Sequence, residues 1–165
     1  MINKNRKPIS PENALYRAAA LCSRGEQAEN DIRIKLKNWG ITPNDADKII
    51  SRLLDEKYIS EERYARVFCR DKFRFGGWGK VKIAFSLKQK MISQDIIANA
   101  LEEISDDDYK EALLKALKAK NKTLSYKEPA QARASLCRFA ASRGFEPALI
   151  FSLLPQVISN CDEID

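Results

Sequence analysis

Apolar residues recur along this chain at three- and four-residue intervals, in stretches parted by short polar or glycine-containing breaks. Ala46, Ile49, Ile50, Leu53 and Leu54 fall at i, i+3, i+4, i+7 and i+8, the stripe of a helix with one buried face. Leu15, Ala18, Ala19 and Cys22 form a similar stripe, as do Ile32, Leu36 and Trp39. Further on, Ile96, Ile97, Ala100, Leu101 and Ile104 do the same, and so do Tyr109, Ala112, Leu113, Ala116 and Leu117. Helix-start signals precede many of these runs: Ser10-Pro11-Glu12, Thr42-Pro43, Ser93-Gln94, the acidic run Ser105 to Asp108, and Pro129. The pattern predicts further helices over Gln27–Trp39, Glu61–Phe75 and Gly79–Lys90, and a last one over Pro147–Ile158. Pro155 lies late in that last run, so a kink or an earlier end is expected there. No strand-like alternation of useful length survives, and the fold class read from the sequence is all-α.

The helices also repeat. Ile41, Ile92 and Phe145 each stand just before a helix start, 51 and 53 residues apart. Ile32, Ile83 and Leu136 lie nine residues upstream of them, and Leu36, Leu87 and Ala140 five upstream. Downstream, Ile49, Ala100 and Leu153 align, followed by Leu53, Ile104 and Val157. This register predicts three tandem three-helix repeats over 11–59, 60–105 and 106–158. A flexible basic tail is expected over 1–10, a polar loop over 121–127 and an acidic tail over 159–165.

Composition narrows the class. No apolar run approaches the roughly 20 residues that span a bilayer, and the charged N-terminus leads into no apolar signal-peptide core. A cytoplasmic location with no membrane contact is expected. Histidine is absent, and Cys22, Cys69, Cys137 and Cys161 are widely spaced. Zinc-type clusters and imidazole general bases are therefore not expected, three of the four thiols read as small, reduced core residues, and no metal, cofactor or catalytic residue is expected. Helix-start preference explains Asp106-Asp107-Asp108 better than metal binding does.

Charge is uneven. Residues 63–91 carry nine basic side chains and one acid, for +8, whereas the whole chain carries +6. Such asymmetry points to a polyanionic partner for one region. Arg63, Arg66, Arg70 and Arg74 share one helix face, and Lys72, Lys80, Lys82 and Lys88 add to the segment. Gly76-Gly77-Trp78-Gly79 interrupts it between two helices. Trp78 is a candidate stacking platform for a base, although plugging a junction between repeats explains it as well. The start of the following helix, with its free backbone N–H groups, is a further candidate for phosphate. These nine residues, Arg63, Arg66, Arg70, Lys72, Arg74, Trp78, Lys80, Lys82 and Lys88, form the candidate DNA-binding set. A solvated face of ordinary charged helices is the plain alternative.

The run from Leu53 to Ala65, LLDEKYISEERYA, resembles the segment joining the first two repeats of the RecX regulatory proteins. Arg70 to Arg74 followed by Trp78-Gly79 is similar to that family's arginine-rich helix and glycine turn, and Lys88 to Ile92 to its lysine-glycine-isoleucine ending. Met91 stands where that glycine is usual, and Ser60-Glu61-Glu62 where an aspartate pair is common. The resemblance covers about 15–157 and is densest over 48–92. It implies an elongated, curved array of three-helix repeats. It also implies a monomeric, non-enzymatic modulator that binds the RecA filament and both single- and double-stranded DNA without sequence preference. Such a protein mostly inhibits the recombinase, ATPase and coprotease activities of RecA, with a place in DNA repair and the SOS response. A stand-alone helical DNA-binding regulator and a helical adaptor remain as other readings of the residues themselves.

Overall fold

The computed structural model describes residues 7–125 and 127–158. Among them the chain is an all-α helical-repeat protein. Its helices are α1 (Pro11–Arg24), α2 (Glu29–Asn38), α3 (Pro43–Asp55), α4 (Glu61–Arg74), α5 (Lys80–Gln89), α6 (Gln94–Glu102), α7 (Asp106–Lys122), α8 (Pro129–Ser142) and α9 (Pro147–Leu153). The expected N-terminal tail lies outside the described residues through position 6, as do the acidic C-terminal tail with Cys161 and position 126 of the polar loop.

Local chemistry sets the helix starts. The hydroxyls of Ser10, Thr42, Ser60 and Ser105 accept from the N–H groups of Asn13, Asp45, Arg63 and Asp108, satisfying donors that a helix start leaves free. Three boundaries differ from expectation, the first only slightly, since α7 runs through Lys122 into the expected polar loop. Helix α2 begins at Glu29, not Gln27, because extended Ala28 is drawn fully into the core as its N-cap. The last helix stops at Leu153, and a single 3-10 turn, Leu154–Gln156, follows. Pro155 has no N–H to continue the ladder, and its ring opposes the preceding turn. Val157 is consequently only half-buried, and fully enclosed Leu154 fills the core.

The repeat register is visible in the backbone. Gly40, Met91 and Gly144, each just past the middle helix of its trio, adopt φ of +83°, +64° and +93°. The next residues, Ile41, Ile92 and Phe145, donate back to the carbonyls of Leu36, Leu87 and Ala140 at 3.0, 3.3 and 3.2 Å. This is the left-handed closure that ends many helices. Ile32, Ile83 and Leu136 have no exposed surface, nor do Leu36, Leu87 and Ala140.

The cores are not equally independent. Helices α1 to α3 enclose one apolar cluster, closed by Ile59. A second cluster runs without a break from Ala65 in α4 to Leu154 after α9. Cys69 is buried in it, while Cys22 and Cys137 are half-buried. Burial, with Glu103 adding to it, pushes the Cys69 thiol up to about 11.

Candidate nucleic-acid interface

The basic segment spans α4, the glycine turn and α5, and folding disperses its nine candidate residues over five environments. Arg63 is turned toward the first repeat. Its Nε meets Glu26 at 2.8 Å, and its Nη2 donates to the carbonyls of Lys57 at 2.7 Å and Tyr58 at 3.4 Å. It bolts the first two repeats together, and its charge is already committed.

Arg66, Arg70 and Arg74 follow on α4, bordering a shallow cavity of about 110 Å³ with Cys69, Phe73 and Glu103. Arg66 stands 3.8 Å from Glu103, and Arg70 3.8 Å from Asp71. Arg74 is exposed and has no carboxylate partner among the described residues.

Lys72 and Lys82 converge on the opposite side of the turn. Their ammonium groups lie 4.7 and 4.4 Å from the Trp78 ring centroid, within cation–π range. Lys72 also lies 5.5 Å from the Phe68 centroid, and the Phe68 and Trp78 rings meet edge-on at 6.2 Å. Trp78 is half-buried against the larger core. It thus plugs the turn, and its ring is already engaged by two lysines. A groove of about 510 Å³ opens here, with Tyr64, Phe68, Phe75 and Trp78 in its wall. Phe75 at its edge is 87% exposed, the one ring here that is free to receive another.

Lys80 belongs to a different junction. Its ammonium sits 4.8 Å from the Tyr109 centroid. Its N–H donates to the Tyr109 hydroxyl at 2.9 Å, which in turn donates to Glu146 at 3.0 Å. Gly79 N–H donates to the Arg143 carbonyl at 2.7 Å, and Val81 N–H to the Gly144 carbonyl at 3.0 Å. The start of α5 was expected to offer free N–H groups to phosphate; instead the third repeat takes those of Gly79, Lys80 and Val81. Burial drives the Tyr109 hydroxyl upward as well, so it serves as a neutral donor. Lys88 is exposed on the last turn of α5, apart from the other candidates.

Arg143, absent from the candidate set, belongs with the turn. Its Nη1 donates to the Gly76 carbonyl at 3.4 Å. The only sequence signal for it was its place in the repeat register, equivalent to Lys90, which reaches back to the first repeat in the same way. Among the described residues no group of three Cys, Asp or Glu side chains is placed to hold a metal ion, and no helix is long and apolar enough to cross a membrane.

This turn and its flanking helices coincide with the part of the chain that matches a known family. Residues 60–101 match the family described as RecX, second three-helix domain. The chain is similar to the RecX family. It is 29% identical over 130 residues to the regulatory protein RecX of Lactobacillus johnsonii, covering 77% of this chain and 48% of that one. With the regulatory protein RecX of Clostridium perfringens it shares 26% over 136 residues, 81% of this chain and 63% of the relative. The chain therefore spans about half to two-thirds of the length of these RecX relatives. The crystal structure of RecX from Lactobacillus salivarius superposes with a TM-score of 0.81 at 18% identity, over 89% of this chain and 96% of that one, a likeness of fold.

Proposed function

We propose that this protein binds the RecA–DNA filament and modulates, mostly by inhibition, the recombinase, ATPase and coprotease activities of RecA. It acts as a cytoplasmic, monomeric, non-enzymatic regulator linked to DNA repair and the SOS response. The observation that carries this reading is the coincidence of the RecX-matching stretch with the densest positive charge of the chain. Lys72, Lys82 and Arg143 gather at the glycine turn, and Arg70 and Arg74 lie on the last turns of α4. Ammonium and guanidinium groups without a rigid bidentate array at one edge suit phosphate, not base-edge readout. DNA binding is accordingly sequence-independent and falls with salt as counterions are released. We further propose 11–59, 60–105 and 106–158 as the repeat units.

The test is RecA's single-strand-dependent ATPase, titrated with this protein at two salt concentrations. Inhibition that saturates supports the reading. An unchanged rate at saturating protein, together with no binding to a RecA filament, overturns it.

A further inference from the structure

On the other side of Arg63, where the first and second repeats meet, a groove of about 620 Å³ runs between the end of α3 and the start of α4. Ile59 forms part of its wall, with only 2% exposed. Leu54 and Met91 border it with 38% and 74% of their surface exposed, beside half-buried Ile96. Among the described residues, Lys57 and Met91 are the non-glycine residues with positive φ, at +60° and +64°, and both line this groove. Each follows the closure that ends its helix, Ile59 N–H donating to the Leu53 carbonyl at 3.1 Å and Ile92 N–H to that of Leu87 at 3.3 Å, at the cost of holding a side chain in the left-handed region. Met91 occupies the register position that Gly40 and Gly144 fill in the other repeats. The strain there places a large apolar side chain in water.

The charge around the groove is also sorted. Arg63 is committed to Glu26, and Glu29 to Arg33 at 3.4 Å. Glu61 and Glu62 remain as adjacent carboxylates, with Lys57 as the one uncommitted cation on the rim. Burial and then the neighbouring Glu29 and Glu62 raise the proton affinity of Glu61, which an incoming cation would relieve.

We infer that this groove docks a protein segment carrying an apolar side chain next to a lysine or arginine, the apolar group resting on Met91 and Leu54 and the cation meeting Glu61 and Glu62. On the reading proposed above, that segment belongs to the RecA filament, so the protein-docking groove and the DNA-binding turn are separate surfaces.

The experiment compares wild type, Met91→Gly and the pair Glu61→Gln with Glu62→Gln. Co-sedimentation with RecA filaments on oligo-dT reads docking, and titration of oligo-dT without RecA reads the DNA surface. Met91→Gly relieves the backbone strain, so it stays folded, with a melting temperature at or above that of wild type. Its filament binding is expected to weaken about five- to tenfold, with oligo-dT affinity unchanged. The carboxamide pair is expected to weaken filament binding likewise and to reduce its salt dependence. Filament binding equal to wild type in Met91→Gly overturns the inference while leaving the RecA reading intact. Failure of wild type to sediment with the filament overturns both. Intact wild-type binding without ATPase inhibition overturns the inhibitory reading alone, and the variants still decide the groove.

Discussion

Lys90 in the second repeat grips Asp31 in the first through both carboxylate oxygens, at 2.8 and 2.9 Å. That bond raises the proton affinity of the Lys90 ammonium. With Arg63–Glu26 at 2.8 Å, it gives the first junction two ion pairs where the second junction has backbone hydrogen bonds and stacked rings. Tyr109 lies 6.0 Å from Phe73 and 5.1 Å from Phe145, centroid to centroid. The two junctions should therefore respond differently to salt.

Arg63→Gln is expected to destabilise more than Lys90→Gln. Both pairs are about one-third exposed, so the Lys90 pair is worth roughly 0.5–1 kcal/mol and is screened by salt. Arg63 additionally satisfies two carbonyls and holds Glu26, whose Oε2 is buried without a partner. Removing it leaves that carboxylate uncompensated, at a cost of about 1–3 kcal/mol. Urea melts at low and high salt measure both; equal losses would contradict the structural role given to Arg63. Because Lys90 has its proton affinity raised by Asp31, the pair stabilises the fold fully below the ordinary lysine pKa. That contribution is lost as pH rises through the elevated folded value.

At the second junction, backbone meets backbone. A Cβ on Gly79 would lie 2.3 Å from the Gly144 carbonyl, and one on Gly144 would lie 2.3 Å from Lys82 Cβ. Neither contact can be accepted without moving the repeats apart. Gly79→Ala and Gly144→Ala are expected to cost well over 2 kcal/mol, Gly144→Ala adding strain at φ +93°. Gly77→Ala is the control: its φ is +66° but nothing lies within 4 Å of its Cβ, so only about 1–2 kcal/mol of left-handed strain applies. Thermal melts of the three variants check the ranking.

Leu36→Ala and Leu87→Ala remove equivalent, fully enclosed side chains, and each should cost about 2–5 kcal/mol. They sit in different clusters, however. In urea, Leu36→Ala is expected to loosen the first repeat ahead of the rest, while Leu87→Ala lowers the unit formed by α4 to α9. Hydrogen exchange resolved by helix distinguishes the two; identical exchange patterns would show that the ion-paired junction transmits unfolding fully.

Much of this organisation was legible in the sequence, for a definite reason. The register through Ile41, Ile92 and Phe145 is enforced by a short-range closure with a fixed apolar residue after it, and apolar spacing reports such closures directly. Helix starts were legible where a hydroxyl or proline marks them. The boundary at Ala28 was not, since nothing at Gln27 signals that an alanine would be the buried cap. Arg63 looked like one member of a row because spacing defines a helix face. It cannot show that Glu26, 37 residues away, waits opposite. The same blindness hid Arg143 and gave the start of α5 free donors that Tyr109 and the Arg143 and Gly144 carbonyls in fact consume.

The lysines at Trp78 offer the sharpest test of the proposed DNA surface. Lys72→Met and Lys82→Met keep the aliphatic stems against the ring and remove only the charges. Each cation–π contact is worth roughly 0.5–1 kcal/mol at an accessible site, so the double variant should remain folded with a modest loss of stability. If both ammonium groups also meet phosphates, the slope of log affinity against log salt should fall by about 0.7–0.9 for each lost contact. The triple variant Arg66→Ala, Arg70→Ala and Arg74→Ala should lower the slope by less than three such steps, because Arg66 and Arg70 already face carboxylates at 3.8 Å. Titrations of oligo-dT over a range of salt decide between the two faces. A full three-step drop in the arginine variant with an unchanged slope in the lysine variant would move the DNA path from the aromatic groove to the arginine face of α4. The two lysines would then serve only to pin Trp78 in the turn.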